Sequence, residues 1–214
     1  MVFRDRIDAG RRLGEALQGY AGKDVVVLAL PRGGVPVAAE VARALNAPLD
    51  LLLVRKIGVP RQPEIAMGAI VDGDPPIVVR NEEVIAAANI PPGDFERVRR
   101  HESEELERRR RRYVAGRERI SPGGRIAIVV DDGIATGSTM KAAVRGLKQQ
   151  KPAEIVIAVP VAAPEAVADL RREADAVVSL EMPRNFRAIG AYFEDFGQLE
   201  DDEVARLLER GERL

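Results

Sequence analysis

The feature that most constrains the fold is a series of short aliphatic runs, each without the alternation of apolar and polar residues that a half-exposed strand shows. A strand with this pattern is buried on both faces, which happens when helices cover both sides of a parallel sheet. The chain therefore predicts an α/β fold with a doubly wound parallel sheet flanked by helices. The predicted strands are residues 24–30, 48–54, 125–131, 154–160 and 176–180.

The segments between these runs show helical periodicity or turn residues. Residues 55–79 are predicted to be loop-like at first and to end in a hairpin around the Asp-Gly-Asp turn at 72–74, whereas residues 181–199 are predicted to be irregular. Glutamate and arginine are mixed in the helix predicted at 93–118, which favours an exposed, salt-bridged surface or a dimer contact over an RNA-binding patch. The predicted helices are residues 4–20, 35–46, 93–118, 137–150, 164–173 and 201–211.

Composition excludes several classes of protein. The 214 residues include no cysteine and one histidine, which excludes disulfides, thiolate metal sites and multi-histidine metal sites within one chain. A net charge of -1 does not favour a protein that coats nucleic acid, because such proteins are basic overall. The aliphatic runs are too short to cross a membrane, and the charged N-terminal residues lack the apolar centre of a signal peptide. We expect a cytoplasmic protein with no nucleic-acid or membrane partner.

Residues 126–139, IAIVVDDGIATGST, combine groups with opposite electrostatic preferences. The aliphatic strand runs into Asp131 and Asp132, whose carboxylates repel anions and accept hydrogen bonds from hydroxyl groups. Gly133 allows a bend, so that both carboxylates can face one ligand. The TGST run at 136–139 then opens a helix, where free amides, the helix dipole and hydroxyl groups attract an anion. A ligand that satisfies both ends carries a vicinal diol and a phosphate, and ribose 5-phosphate fits best.

Other interpretations of this segment stay open. Thr136 or Ser138 could simply cap the helix. Paired aspartates at a strand end could be solvated or could bind a metal. A nucleotide-binding P-loop is disfavoured, because the segment lacks both the GxxxxGK[ST] spacing and its lysine.

Two further junctions between the end of a strand and the segment that follows it carry groups suited to anions. We call these two junctions, and the one at residues 131–139, joints. In the PRGG turn, Gly33 and Gly34 let backbone amides approach a ligand closely, and Arg32 adds hydrogen-bond donors, although such residues also end strands routinely. Arg55 and Lys56 follow the second strand, where a basic pair could neutralise a pyrophosphate or lie on the surface. Ligands of doubly wound sheets bind where strands end, so we expect the joints to share one site. The loop that follows is long enough to act as a lid.

These residues resemble the type I phosphoribosyltransferases, which use 5-phosphoribosyl 1-diphosphate. IAIVVDDGIATGST is similar to the signature of that family, LALPRGGVPVA to its pyrophosphate loop, and LVRKIG to the basic pair that opens its mobile catalytic loop. The resemblance covers residues 24–198 and points to an uncharacterised bacterial group within the family.

The resemblance implies a role for each group of residues. The ribose hydroxyls are assigned to Asp131 and Asp132. The 5-phosphate is assigned to Ala135, Thr136, Gly137, Ser138 and Thr139. Pyrophosphate is assigned to Arg32, Gly33, Gly34 and Lys56, and catalysis to Lys56, Arg55, Asp131 and Asp132. A Mg²⁺ cofactor would bridge diphosphate and sugar oxygens, mostly through the ligand and water, with no direct protein ligand assigned.

Residues 174–196 resemble the base-binding hood of the hypoxanthine-guanine members. In those enzymes an aromatic residue stacks on the purine and an acid after the proline recognises its exocyclic amine. Here Val177 and Arg184 stand at those two places, which puts a purine acceptor in doubt and favours an anionic or non-base acceptor. The candidate acceptor-binding residues are Val178, Arg184 and Phe186.

With no repeat or interdomain linker, residues 1–214 are predicted to form a single domain, with a core at about 24–180 and a hood at about 181–198. The helix at 93–118 is similar to an insertion relative to compact members. The predicted function is Mg²⁺-dependent transfer of a phosphoribosyl group from phosphoribosyl diphosphate to an unidentified acceptor, a nucleobase or an anionic small molecule, by a homodimer. The alternative is a sensor that binds phosphoribosyl diphosphate without catalysis.

Overall fold

A five-stranded parallel sheet forms the centre of the protein, whose computed structural model describes residues 2–114 and 118–211. The strands of the chain are β1 (Val25–Ala29), β2 (Leu49–Leu51), β3 (Val54–Val59), β4 (Gln62–Val71), β5 (Ile77–Arg80), β6 (Ile126–Val130), β7 (Glu154–Val161) and β8 (Ala176–Glu181). The central sheet has the order β2-β1-β6-β7-β8, and each neighbouring pair is parallel. The predicted parallel sheet is confirmed.

Helices cover both faces of this sheet, as the continuous aliphatic runs predict. The helices are α1 (Arg6–Ala16), α2 (Gly34–Leu45), α3 (Glu82–Ala87), α4 (Pro92–Val114), α5 (Ser138–Gln149), α6 (Pro164–Leu170) and α7 (Asp201–Gly211). Val25 and Val27 of β1 join a core cluster that includes residues of α1, α2 and α7, whereas Val26 and Leu28 join a second cluster with residues of α5 and α6. Alternate side chains of one strand therefore pack on opposite layers.

The segment that the sequence predicted as a loop after the second strand is a β-hairpin, so that prediction is wrong. Strand β3 pairs antiparallel with β4, and β4 pairs with β5 to make a separate three-stranded sheet. Proline and glycine gave the segment the composition of a loop. Gly58 instead allows a close approach of the two strands, since a Cβ atom there would lie 2.7 Å from the carbonyl oxygen of Pro63. The predicted hairpin at 72–74 is confirmed, because these residues connect β4 to β5.

The remaining differences are shifted ends of elements and one helix that the sequence did not predict. The predicted strand at 48–54 divides into β2 and the start of β3. The long charged helix is present as α4; residues 115–117 of the predicted range lie outside the described residues, and Glu118 is not helical. Helix α3 was not predicted, although Asn81 marks its start as the N-cap, with a side-chain oxygen that accepts a hydrogen bond from the Val84 amide. No helix within the described ranges combines the length and the apolar character that a bilayer crossing needs.

One arginine of α4 is buried, which corrects the expectation of a charged run exposed throughout. Arg110 is 4% exposed, and its Nη2 atom donates to both oxygens of Asp50, at 2.9 and 3.0 Å. Its Nη1 atom donates to Asp72, which also accepts a 3.0 Å hydrogen bond from Nε of Arg119. The backbone N–H of Ile120 donates to Asp50 at 2.9 Å. This network joins α4 to β2 and to the β4–β5 turn.

We predict that Arg110→Met destabilises the protein by about 3–5 kcal/mol, because it leaves two buried carboxylates without their shared counter-charge. Urea unfolding followed by circular dichroism measures the change. Arg111→Met is the matched control, since Arg111 is exposed on the same helix and its loss should cost less than about 0.5 kcal/mol. Equal stability of the two variants would contradict a structural role for the network.

Candidate functional site

The pairing of β1 with β6 brings two of the predicted joints together at one edge of the sheet. Ala29 is in register with Val130, so the chain leaves both strands side by side. The contact is close: a Cβ atom at Gly33 would lie 2.0 Å from Oδ2 of Asp132, and one at Gly34 would lie 2.6 Å from the carbonyl oxygen of Val130. Both glycines are therefore required by the approach of the PRGG turn to the acidic pair.

The acidic pair is held by hydrogen bonds from the protein itself. The backbone N–H of Asp132 donates to Oδ1 of Asp131 at 2.8 Å. Asp132 is 8% exposed, and its Oδ2 accepts a 2.8 Å hydrogen bond from Nε of Arg6 in α1. Arg6 also donates from Nη1 to the carbonyl oxygen of Gly197 at 2.8 Å and lies over the ring of Phe196, 3.9 Å from its centroid. One guanidinium thus connects the acidic pair to the chain that precedes α7.

Burial raises the pKa of both carboxyl groups above the usual range of aspartate. For Asp131 the negative charge of Asp132 raises the pKa further, while the Asp132 amide and the Arg6 charge oppose the shift. For Asp132 the hydrogen bond and the charge of Arg6 partly offset the effect of burial on the pKa. A ligand that donates hydroxyl hydrogens to both carboxylates would stabilise their ionised forms in this environment.

The turn after the acidic pair, residues 135–139, leads into the start of α5, and we refer to it as the anion cradle after the role predicted for it. Gly137 has a φ of 74°, which favours glycine, and it precedes the helix without a side-chain cap. The Ser138 amide lies 3.5 Å from Oγ1 of Thr136, longer than the ordinary range of about 2.7–3.2 Å, so capping by Thr136 is weak. The hydroxyl residues Thr136, Ser138 and Thr139 are at least partly exposed, together with Ala135. Amides and hydroxyls at this helix start are available to an anion.

Arg32, assigned to pyrophosphate, and Arg55, assigned to catalysis, contact carboxylates of neighbouring helices. Nη1 of Arg32 lies 3.9 Å from Oδ1 of Asp201 at the start of α7, and that same oxygen accepts a 2.8 Å hydrogen bond from the hydroxyl of Tyr113 in α4. Nε of Arg55 donates to Oε2 of Glu102 in α4 at 2.7 Å. The helix that resembles an insertion therefore lies against this side of the site.

Lys56 follows Arg55 in β3, where successive side chains point to opposite faces. Its Nζ atom lies 3.4 Å from Oε2 of Glu64, which is almost fully exposed. Lys56 lines a cavity of about 360 Å³ that Ser138 and Thr139 of the anion cradle also line. Of the predicted basic pair, Lys56 lines this cavity, whereas Arg55 lines a smaller cavity to which Thr139 also contributes.

The chain after β8 carries an aromatic cluster next to the acidic turn. A Cβ atom at Gly133 would lie 2.6 Å from Cγ2 of Ile189, so this segment packs directly on the bend after the two aspartates. The ring of Phe186 stacks on that of Tyr192, with a centroid separation of 5.7 Å and an interplanar angle of 23°. Arg184 is exposed.

The two valines of the hood resemblance lie in strand β8 and pack against opposite core clusters. Val177 contacts the cluster on the α5 side, and Val178 contacts the cluster on the α1 side. Both positions therefore belong to the sheet itself, whereas Phe186 and Arg184 lie in the chain that follows it.

Sequence reasoning missed two residues of the site, Arg6 and Asp201. Each lies at a helix start, where charged residues are common, and each reaches the site through a contact distant in sequence; Arg6 and Asp132 are 126 residues apart. No local pattern marks such contacts.

Within residues 2–114 and 118–211, no group of three or more His, Asp or Glu residues is placed to hold a metal ion.

The chain is similar to known proteins over most of its length. Residues 6–194 match the model of the phosphoribosyl transferase domain. Two Mycobacterium tuberculosis proteins, from strains CDC 1551 and H37Rv and each named "Putative phosphoribosyl transferase", are 48% identical over 212 residues. The match covers 99% of this chain and 47% of theirs, so the chain spans about half the length of these curated relatives.

A solved structure extends the similarity to three dimensions. The crystal structure of TT1426 from Thermus thermophilus is 43% identical to this chain, with a TM-score of 0.87, and the match covers 98% of this chain and 99% of that one. The family model spans most of the chain, including both joints that meet at the edge of the sheet. The chain therefore belongs to the phosphoribosyl transferase domain family.

Proposed function

We propose that the protein transfers a 5-phosphoribosyl group from phosphoribosyl diphosphate to an acceptor and releases pyrophosphate. The observation that carries the proposal is the contact between the PRGG turn and the acidic pair, with the anion cradle in the same loop. A carboxylate pair with one buried and one half-buried member, beside an open helix start, suits a ligand with hydroxyls at one end and phosphate at the other.

The proposed roles follow the chemistry of each group. Asp131 and Asp132 accept hydrogen bonds from the two ribose hydroxyls, and the cradle at 135–139 binds the 5-phosphate. The amides of Gly33 and Gly34, with Arg32, bind the diphosphate. These contacts fix the sugar so that its anomeric carbon faces the acceptor.

In the proposed reaction, the bond between the anomeric carbon and the diphosphate oxygen breaks, and its electron pair leaves with pyrophosphate. The acceptor's lone pair forms the new bond at that carbon. Positive charge develops on the sugar ring, where the carboxylates are close, and negative charge develops on the leaving group. Lys56, which lines the cavity beside the cradle, would stabilise that leaving charge.

We also propose Mg²⁺ as the cofactor. The donor set fits an ion bound largely by ligand oxygens and water, because Arg6 already engages one carboxylate of the acidic pair, that of Asp132. When bound, the ion neutralises charge on the diphosphate and makes it a better leaving group.

For the acceptor we propose a small molecule that carries negative charge. Arg184 is exposed in the hood, and guanidinium binds carboxylate or phosphate through two parallel hydrogen bonds. The nearby ring of Phe186 already stacks on Tyr192, so its face toward that ring is not available to a base.

The second candidate function is a sensor that binds phosphoribosyl diphosphate without turning it over. The observation that favours it is the hydrogen bond from Arg55 to Glu102, because a guanidinium that already pairs with a protein carboxylate is less available to a leaving group. Steady release of pyrophosphate with any acceptor decides in favour of the enzyme. Tight binding without release, across nucleobases and small anionic acceptors, decides in favour of the sensor.

Replacing both aspartates by Asp131→Asn and Asp132→Asn should weaken binding of phosphoribosyl diphosphate by at least about 100-fold. Each lost charge-assisted hydrogen bond is worth about 1.5–3 kcal/mol. Calorimetric titration with Mg²⁺ present measures the loss. Asp24→Asn is the control, because Asp24 precedes β1 at the opposite edge of the sheet and pairs with Arg125. Unchanged affinity in the double variant would refute the ribose assignment.

Lys56→Ala should lower kcat by about 100-fold and weaken ligand binding by much less, because its charge serves the leaving pyrophosphate more than the bound substrate. Single-turnover and steady-state kinetics separate the two effects. Lys148→Ala is the matched control, since Lys148 lies near the other end of α5, 3.5 Å from Glu173. An affinity loss as large as the loss in kcat would show that Lys56 binds the ground state instead.

Arg184→Ala should reduce kcat/KM for an anionic acceptor by about tenfold or more, as expected for the loss of one charge-assisted contact. Arg187→Ala, an exposed arginine of the same segment, should leave it within about twofold. Acceptor kinetics provide the measurement. Efficient turnover of guanine or hypoxanthine, unaffected by Arg184→Ala, would overturn the proposed acceptor class.

A further inference from the structure

A small cavity of about 110 Å³ lies between α4, the PRGG turn and the start of β3. It has room for several water molecules, each of which needs about 10–15 Å³. Its apolar wall consists of four leucines, Pro31 and Val54, and two hydroxyl side chains, those of Tyr113 and Thr139, also line it. Thr139 belongs to the anion cradle, so the cavity adjoins the proposed ligand site.

Three arginines line this cavity, and no carboxylate among the described residues does so. Arg32 comes from the PRGG turn, Arg55 from β3 and Arg109 from α4. Arg32 has a long ion pair, 3.9 Å, with Asp201, whereas Arg55 is more tightly paired with Glu102. A group of positive charges around a small space, without an acid in the lining, favours an anion with several oxygens.

Arg109 reaches the cavity because of its position on the helix. Glu102, Leu106, Arg109 and Tyr113 are separated by four, three and four residues, the spacing that places side chains along one face. Leu106 is fully buried on this face and Glu102 pairs with Arg55 across it, so the face is packed against β3. Arg109 also lines the groove beneath the β3–β4 hairpin, together with Lys56.

The ion pair of Arg109 is local and leaves the guanidinium near solvent. Its Nε atom lies 3.0 Å from Glu105 on the same helix, and the side chain is 46% exposed. Exposed pairs of this kind contribute little to stability, so an incoming anion can compete with Glu105 for the guanidinium.

We propose that α4 supplies Arg109 as the third arginine of the pyrophosphate-binding pocket, beside Arg32 and Arg55. The inference rests on the proposed function, because it names a residue that would bind the diphosphate of the same substrate. It also assigns a role to the helix that looks like an insertion: α4 closes the pyrophosphate side of the site with a guanidinium that binds phosphate oxygens bidentately.

Arg108 provides a matched control for Arg109. The two are adjacent, both are at least partly exposed, and both pair with Glu105, Arg108 at 2.8 Å and Arg109 at 3.0 Å. Only Arg109 lines the small cavity. Replacing either residue by glutamine therefore removes the same charge from the same helix turn, and only one replacement changes the pocket.

The experiment titrates inorganic pyrophosphate with Mg²⁺, and separately ribose 5-phosphate, into the wild type, Arg109→Gln and Arg108→Gln by calorimetry. Arg109→Gln should weaken pyrophosphate binding by about tenfold or more and leave ribose 5-phosphate binding within about twofold. Arg108→Gln should change neither ligand. The thermal midpoints of the three proteins should agree, since the ion pairs with Glu105 are exposed. The pyrophosphate affinity of Arg109→Lys should fall between those of the wild type and Arg109→Gln, because lysine keeps the positive charge and loses the two parallel hydrogen bonds of a guanidinium.

Several results would overturn the proposal. Equal weakening in Arg108→Gln and Arg109→Gln would assign the effect to general surface charge. Weaker ribose 5-phosphate binding or a lower thermal midpoint in Arg109→Gln would indicate a structural role. Normal pyrophosphate binding by Arg109→Gln would reject Arg109 and leave the proposed function standing. A wild type that binds neither pyrophosphate nor phosphoribosyl diphosphate would instead reject the proposed function, and Arg109 with it.

Discussion

The in-register pairing of β1 with β6 is the constraint on which the site depends. Because Ala29 lies opposite Val130, the PRGG turn and the acidic turn leave the sheet at the same height and must share the same small volume. Glycine permits that approach, since a Cβ atom at Gly34 would lie 2.6 Å from the backbone oxygen of Val130 and one at Gly33 would meet the Asp132 carboxylate. A shift of one residue in this register would move both turns and would point the core side chains of β1 to the wrong layer.

Helix α4 contributes to the molecule at two levels. Through Arg110 it fastens the edge strand β2 to the β4–β5 turn, and the aspartates there tolerate burial because each accepts hydrogen bonds from more than one donor. Through Glu102 it holds Arg55 of β3. The same helix therefore braces the central sheet and positions the hairpin beside the site, which explains why a mostly charged helix has a fixed place in the fold.

Much of the fold, and the placement of the candidate site residues, could be predicted from the sequence, because the signals are local. Continuous aliphatic strands imply a covered parallel sheet, and loops after parallel strands meet at one edge, so Gly33 and Asp132 could be expected to lie together. The β3–β4 hairpin could not be predicted, because Pro60, Pro63 and Gly58 have the composition of a loop and only the pairing reveals the strands. Arg6 could not be predicted either, since its partner is distant in sequence.

The hydrogen bonds of Arg6 have a consequence for how two ligands affect each other's affinity. One guanidinium bonds to Asp132 and to the carbonyl of Gly197 and covers the ring of Phe196. A ligand that draws Asp132 away therefore releases a contact that holds the segment after β8, and a ligand that displaces this segment changes the environment of Asp132. Such linkage is reciprocal: whatever factor the first ligand applies to the affinity of the second, the second applies equally to the first.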